Sequence, residues 1–382
     1  MTNKISPEFG GGGELVIEET GRRLKGMGHE IFLLTSSEIP YSSNVSYSNG
    51  IPTYYLPSFL KVLHRNERLR FLISRYSFYL ISPPFVAKFA KELNVDLLHD
   101  YASPMPSLAT WIGHQLKIPT VLTIHEVLLR KAFEFYDPIT ALGKLLGDYS
   151  VKGLSPDHII AASKFTRNKL LRLGIGKEKI SVIPYGVDFQ TFHPSDNFDK
   201  IDDPCVVSVS RLVPQKRVSH IVMAAKKVVD EIPSVNFYII GKGKLENKLR
   251  SAVTQMGLNK NVHILGFLSQ NDIIRHLQQA DVFVSASMQE GFGLAVAEAM
   301  ACRTPVISYD VPALNEIIDD GENGVLVEDR NIQKLSQAII KLLEDRKLAM
   351  EYGIAAAQKV KEEYDWNKTI DQLMDVYRRV VA

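Results

Sequence analysis

The chain has 382 residues, 45% of them hydrophobic and 23% charged, with a formal net charge of +2. That length exceeds one ordinary hydrophobic core and predicts two domains, while the near-balance of charge excludes a nucleic-acid partner recruited by a basic surface. Two cysteines, Cys205 and Cys302, both in apolar stretches, exclude a disulfide framework or a zinc site and fit a reducing, cytoplasmic setting.

Residues 1–9 supply only Ile5 and Phe9 beside polar Thr2, Asn3 and Lys4, too little for a buried first strand. There is no signal-peptide core there, and no run anywhere approaches the roughly 20 apolar residues of a membrane span. Gly10-Gly11-Gly12-Gly13 then opens a helix expected over 13–27, patterned by Val16, Ile17, Leu24 and Met27. Its glycines let backbone approach a ligand closely and leave helix N–H groups free for an anionic oxygen. Strands are expected at 30–35, 95–99, 120–124 and 158–161, and helices at 68–93 (interrupted by Pro83-Pro84), 106–116 and 164–173. Lys61, His64, Arg65, Arg68, Arg70 and Arg75 interleave with apolar residues, and Tyr76, Phe78 and Tyr79 follow. Segment 59–80 therefore reads as a surface helix with a basic outer face, or as a peripheral contact with the inner face of an anionic membrane or a lipid acceptor.

A polar stretch at 196–204, with Asp196, Asp199, Asp202 and Asp203 before Pro204, reads as a linker. Beyond it strands are expected at 205–210, 235–240, 262–265, 281–286, 306–308 and 325–327, each followed by a helix or turn, and a last helix at 366–380. This alternation predicts an α/β fold of two Rossmann-like β/α/β domains, 1–195 and 204–365, facing a central cleft.

Chemistry in such a fold gathers at the carboxyl ends of strands. Five places there carry suitable residues. Thr123-Ile124-His125-Glu126 closes a strand, so His125 points toward the cleft; a lone histidine of this kind is also a common structural group. His99, ending the strand before it, is a candidate for the acceptor side. Ser210-Arg211-Leu212-Val213-Pro214-Gln215-Lys216 brings two cations just after a strand; Arg211 offers a planar fork and Lys216 a point charge to a diphosphate. Gly241-Lys242-Gly243 follows another strand, but Glu246 stands where a dinucleotide fingerprint wants a third small residue, and Leu15 and Val16 break the same pattern after Gly10–Gly13. A nicotinamide enzyme is a poor fit. Finally, Glu290-Gly291-Phe292-Gly293-Leu294 leads into a helix carrying Glu298, a strand–glycine turn–helix arrangement that presents free N–H groups and a positive helix end to a phosphate. No Asp-x-Asp occurs and no His/Asp cluster has metal spacing, so no metal and no cofactor are expected.

The Glu-x7-Glu pair of Glu290 and Glu298, taken with Arg211 and Lys216 in that order, resembles the retaining glycosyltransferases of family 4, and the likeness extends over most of the chain. It implies the two-domain B type of glycosyltransferase fold, with the helix at 366–382 crossing back onto the N-terminal domain. It implies a nucleoside-diphosphate sugar (UDP- or GDP-linked) as donor, held mainly by the second domain, and a lipid-linked, saccharide or small-molecule acceptor held mainly by the first. Under it His125, Arg211, Lys216 and Glu290 are catalytic: His125 and Glu290 contact the donor sugar, and the two cations hold the diphosphate. Donor-binding positions are Gly12, Gly13, Gly241, Gly243, Leu265, Gly291, Phe292, Gly293, Leu294 and Glu298. Of these, Glu298 accepts from the ribose diol, Gly291–Leu294 offer N–H groups, and the Gly241 turn and the 262–266 edge flank the base. The departing phosphate takes the acceptor proton, so no separate base is needed. The chain departs from the family in its polar start, in Tyr185 where asparagine is common, and in Arg217 and Arg303 where glycine is frequent, which implies altered local backbone. Two rival functions share the architecture, a sugar-nucleotide epimerase and a noncatalytic sugar-nucleotide-binding protein.

Overall fold

The computed structural model describes residues 12–36, 45–48, 50–56, 82–102, 108–195 and 203–382. The polar start at 1–9, Gly10 and Gly11, the basic segment 59–80 and most of the acidic linker, 196–202, lie outside the described residues. The chain forms two compact units, 1–184 with 370–382 and 185–369. Residues 185–195, assigned by sequence to the first half, belong to the second. Val187 N–H donates to Tyr364 O at 2.7 Å, and the Gln278 amide donates to His193 O at 2.7 Å, which tie them there. The last helix, Trp366–Val381, has its first turn in the second unit and the rest in the first.

In the first unit, β1 (Leu33–Ser36) pairs parallel with β3 (Ile51–Leu56), which pairs antiparallel with β2 (Val45–Ser48). A second sheet holds β4 (Leu98–Ala102), β5 (Thr120–Ile124), β6 (His158–Ala161) and β7 (Ile180–Val182), all parallel. Every residue of β5 is buried, as expected for a parallel strand covered on both faces, and Leu122 and Ile124 pack with Val151, Ile159, Leu170 and Ile180. Strand β4 begins three residues later than sequence patterning placed it, because pairing starts where Leu98 N–H meets Pro119 O and Leu98 faces Thr120. His99 is therefore inside the strand, on the same face as Tyr101, and does not end it.

The second unit is one parallel sheet of β8 (Cys205–Val209), β9 (Asn236–Ile240), β10 (Val262–Gly266), β11 (Val282–Ser285), β12 (Val306–Tyr309) and β13 (Gly324–Val327), in the order β10-β9-β8-β11-β12-β13. From β8 the chain winds outward through β9 and β10, then returns to the other side of β8 with β11. The order reverses between β8 and β11, and in doubly wound sheets ligands bind just beyond the carboxyl ends of the strands at that point. The loops leaving β8 and β11 are the ones that carry Arg211, Lys216 and Glu290.

The helix after β11, Leu294–Ala301, ends in a Schellman turn: Thr304 N–H donates to Ala299 O and Arg303 N–H to Met300 O. Arg303 holds the left-handed position at φ +62°, so the arginine adopts the backbone a glycine would take there rather than altering it. Arg217, at φ +42°, does the same. Left-handed backbone costs a side-chain-bearing residue about 1–2 kcal/mol, partly offset by the greater freedom glycine has when unfolded. Arg303 is exposed, so Arg303→Gly is expected to raise stability by about 0.5–1 kcal/mol, read as a higher urea midpoint with unchanged slope.

Candidate active site

At the β8/β11 junction the two loops are stitched together by backbone and side chain. Met288 N–H donates to Gln215 O at 2.9 Å. The Lys216 ammonium forms an ion pair with Glu290 Oε1, which also accepts from Ser287 Oγ at 2.7 Å. Both partners are partly buried, with side-chain exposures of 17% and 18%, so neither is a freely solvated charge. Lys216 ends a single 3-10 turn, Pro214–Lys216, and the next residue fixes that turn from below: Arg217 is buried and its guanidinium pairs with Asp329 beyond β13. Arg211 is exposed and has no ion pair among the described residues. Gln215, between Pro214 and Lys216, has a buried Oε1 without a hydrogen-bond partner among the described residues.

The glycine turn after β11 opens the helix that carries Glu298. Gly293 stands at its N-terminus with φ +114°, and a Cβ there would lie 2.4 Å from Leu314 Cδ2, so backbone angle and packing both demand glycine. No side chain caps this helix. Its first N–H groups, at Leu294 and Ala295, therefore remain available with the positive end of the helix dipole behind them. Phe292 is different: its ring is buried between Tyr185 and Tyr364, at centroid distances of 5.5 and 5.2 Å, so its side chain belongs to the core and only its backbone remains a candidate contact. Tyr185, standing where the family often has asparagine, is thus a core residue here. Glu298 lies one helical turn further on, without a hydrogen-bond or ion-pair partner among the described residues. Burial pushes its carboxyl up to about 8, the direction in which desolvation moves any acid.

Gly241 has φ +137°, and a Cβ on it would sit 1.9 Å from Ser210 O; one on Gly243 would sit 2.3 Å from Leu212 O. These glycines let the β9 loop press against the β8 loop, secured by Leu212 N–H to Lys242 O at 2.9 Å. Leu265 is the extra residue of a bulge between Ile264 and Gly266, which turns the end of β10 where exposed Phe267 and Lys242 meet.

The first unit brings together a separate set. His125 follows β5, and a Cβ on Gly13 would stand 3.4 Å from its ring, so the helix Gly12–Gly26 begins directly over the imidazole. Burial lowers the His125 pKa to about 4, leaving a neutral ring at physiological pH that can exchange hydrogen bonds with sugar hydroxyls. Its ring stacks on Tyr101 at 5.9 Å, which stacks on His99 at 4.3 Å. His99 is not an open acceptor contact: Nδ1 meets the Tyr377 hydroxyl at 2.5 Å and Nε2 meets Thr123 Oγ1 at 2.7 Å. Ser163 is an N-cap, accepting from Thr166 N–H.

Every predicted site residue of the second unit except exposed Arg211 thus has a defined place around one sheet end, and Gly12, Gly13 and His125 meet in the first. Ser287, Gln215, Arg217 and Asp329 were not singled out as site residues by sequence. The signal for Ser287 and Gln215 was their position inside the two loops, whereas the contact between Arg217 and Asp329 joins segments 112 residues apart.

Known proteins resemble this chain over both of its halves. Residues 10–191 match the profile described as Glycosyltransferase Family 4, and residues 189–359 match Glycosyl transferases group 1. Escherichia coli UDP-Gal:alpha-D-GlcNAc-diphosphoundecaprenol alpha-1,3-galactosyltransferase is 26% identical over 352 residues, covering 87% of this chain and 85% of that protein. Bacillus anthracis N-acetyl-alpha-D-glucosaminyl L-malate synthase is 25% identical over 391 residues, 98% of this chain and 95% of that one. Among solved structures, Anabaena Alr3699/HepE in complex with UDP and glucose superposes with a TM-score of 0.78 at 19% identity, covering 99% of this chain and 98% of that one. With one profile taking each half, and relatives running the length of both, the chain belongs to the group 1, family 4 glycosyltransferases and is an enzyme of the two-domain B type.

Proposed function

We infer that the enzyme transfers a hexose or N-acetylhexosamine from a nucleoside-diphosphate sugar with retention of configuration and without a metal ion. One observation carries this: Lys216, Glu290 and an uncapped helix N-terminus converge at the reversal point of the second sheet. Lys216 and Arg211 supply positive charge to the diphosphate, and the Leu294 and Ala295 N–H groups supply the directional donors. Glu290, already an acceptor for Lys216, orients the ammonium and offers its second oxygen to a sugar hydroxyl. Glu298 takes the ribose diol. As the diphosphate leaves, negative charge grows on its oxygens while the anomeric carbon becomes oxocarbenium-like. Fixed cations and N–H dipoles stabilise that charge with no reorganisation. The acceptor hydroxyl attacks from the face just vacated and passes its proton to a leaving phosphate oxygen. In the first unit, neutral His125 and the N–H groups near Gly12 and Gly13 are the polar groups offered to the acceptor.

The Escherichia coli relative is named for UDP-Gal and the Anabaena protein binds UDP, which favours a UDP-linked donor over a GDP-linked one. A thermal-shift panel of UDP-, GDP- and ADP-sugars in EDTA tests this, since a ligand that binds only the native state raises its melting temperature. A shift confined to UDP-sugars, followed by an α-linked product from an α-linked donor in proton NMR, is expected. An inverted anomer, an epimerised donor without acceptor, or a shift that needs added magnesium would reject it.

A further inference from the structure

Four rings form a column in the first unit, from the last helix to the site histidine. Tyr377, on the helix Trp366–Val381, meets His99 Nδ1 with its hydroxyl at 2.5 Å and stands edge-on to that ring, with centroids 5.6 Å apart and planes at 84°. His99 stacks on Tyr101 at 4.3 Å and 25°, and Tyr101 stacks on His125 at 5.9 Å and 29°. The strand dictates the middle of the column, because residues 99 and 101 of β4 share one face. A second link lies beside the stack. His99 Nε2 meets Thr123 Oγ1 at 2.7 Å, and Thr123 is two residues before His125 on the strand that delivers it. The helix Gly12–Gly26 is seated on the same column twice, by Gly13 over the His125 ring and by the Thr20 side chain at the Tyr101 hydroxyl.

Packing alone does not call for this polarity. Leu373, Met374 and Val376 already give the last helix its apolar grip. A tyrosine hydroxyl turned inward gives up water and needs a hydrogen bond in return. An imidazole bonded at both nitrogens, on opposite edges, cannot turn about its Cβ–Cγ bond without breaking one of those bonds. Burial keeps the column uncharged: it lowers His99 well below its ordinary value and His125 to about 4, and it lifts Tyr101 to about 12. What passes along the rings is therefore orientation and not charge.

We propose that Tyr377 is a positioning residue for the acceptor site: through His99 it fixes the Tyr101 ring and the end of β5, and so sets the direction of the His125 imidazole. The role rests on His125 being offered to the acceptor, so the test reads the imidazole itself as well as turnover. Tyr377→Phe keeps the ring and removes one oxygen, and the full-length variant should melt close to the parent. In its proton–nitrogen NMR spectrum the His125 ring signals, assigned by their loss in His125→Gln, should move. Its kcat/KM for the acceptor should fall about 10–100-fold, the scale of effect when a contact group shifts by about an ångström. The donor-induced thermal shift should be unchanged, because the donor groups belong to the second unit. His99→Gln should lower kcat/KM as well, and Tyr377→Phe added to it should cost nothing more, since the route is already cut. Effects that add, or His125 signals that do not move, would overturn the route. Moved signals with acceptor kcat/KM intact would show that His125 does not serve the acceptor, which leaves Tyr377 nothing to position.

Discussion

Lys216→Ala is expected to lower turnover about 10²–10³-fold while leaving the protein folded. The argument rests on where the lysine sits. Its ammonium is anchored by Glu290 at the end of a single tight turn, next to a helix start that already offers N–H donors. Charge on the leaving diphosphate grows as the glycosidic bond breaks, so a cation fixed there acts more strongly on the transition state than on the bound donor. Removing it should therefore depress kcat more than it raises KM for the donor. Glu290 keeps its bond from Ser287 and is partly solvated, so the loss does not strand a buried charge. Lys216→Arg restores charge but not the compact point geometry and should recover only part of the loss. Nucleotide release in a coupled assay, with melting temperature as the control for folding, measures all three. Undiminished turnover by Lys216→Ala would remove the diphosphate site from this place.

Donor affinity should rise with pH through the neutral range. In the free protein burial holds the Glu298 proton up to about 8, well above its ordinary value of 4.5. A carboxylate that accepts two hydrogen bonds from a ribose diol must be ionised, so the bound form has the lower pKa and binding expels a proton. Below about pH 8 each unit of acidification should weaken donor binding by up to about tenfold, and above it the dependence should level off. Folding stability has the opposite sign: a raised folded-state pKa contributes fully below 4.5 and is lost as pH rises through about 8. Glu298→Gln should flatten the binding profile and remove most of the affinity, because the amide can accept only one of the two bonds. Titration calorimetry in buffers of different ionisation enthalpy counts the released proton directly. A flat wild-type profile with no proton release would place the ribose elsewhere.

Much of the second unit is written plainly in the chain. Its strands are short, doubly buried apolar runs such as Val282–Ser285, and sequence patterning finds their ends to within one or two residues. The first unit is harder. Strands Val45–Ser48 and Ile51–Leu56 are short, the first interrupted by serines and the second by Pro52, and Asn49-Gly50 between them is the only turn signal. Helix Pro138–Leu154 carries Gly143, Gly147 and Gly153, each unfavourable in a helix, and its two apolar faces blur the 3.6-residue period. At the site, Lys216, Glu290 and Glu298 could be named because their spacing along the chain is itself the signal. The contacts that hold them could not: Arg217 with Asp329 and His99 with Tyr377 join residues 112 and 278 positions apart, and only folding brings such pairs into reach. His99 was misplaced for the same reason, since strand pairing rather than local pattern sets where β4 begins.

The return of the last helix carries a consequence for biosynthesis. Leu373, Met374 and Val376 are core residues of the first unit, and Tyr377 satisfies the inner nitrogen of His99, yet all four are translated after the whole of the second unit. On the ribosome the N-terminal lobe must wait for Leu373, Met374, Val376 and the Tyr377 hydroxyl, while residues 185–369 emerge with their own core complete. The half made first is thus the half finished last, and nascent chains stalled short of residue 370 carry a solvent-exposed core that invites chaperone capture or proteolysis.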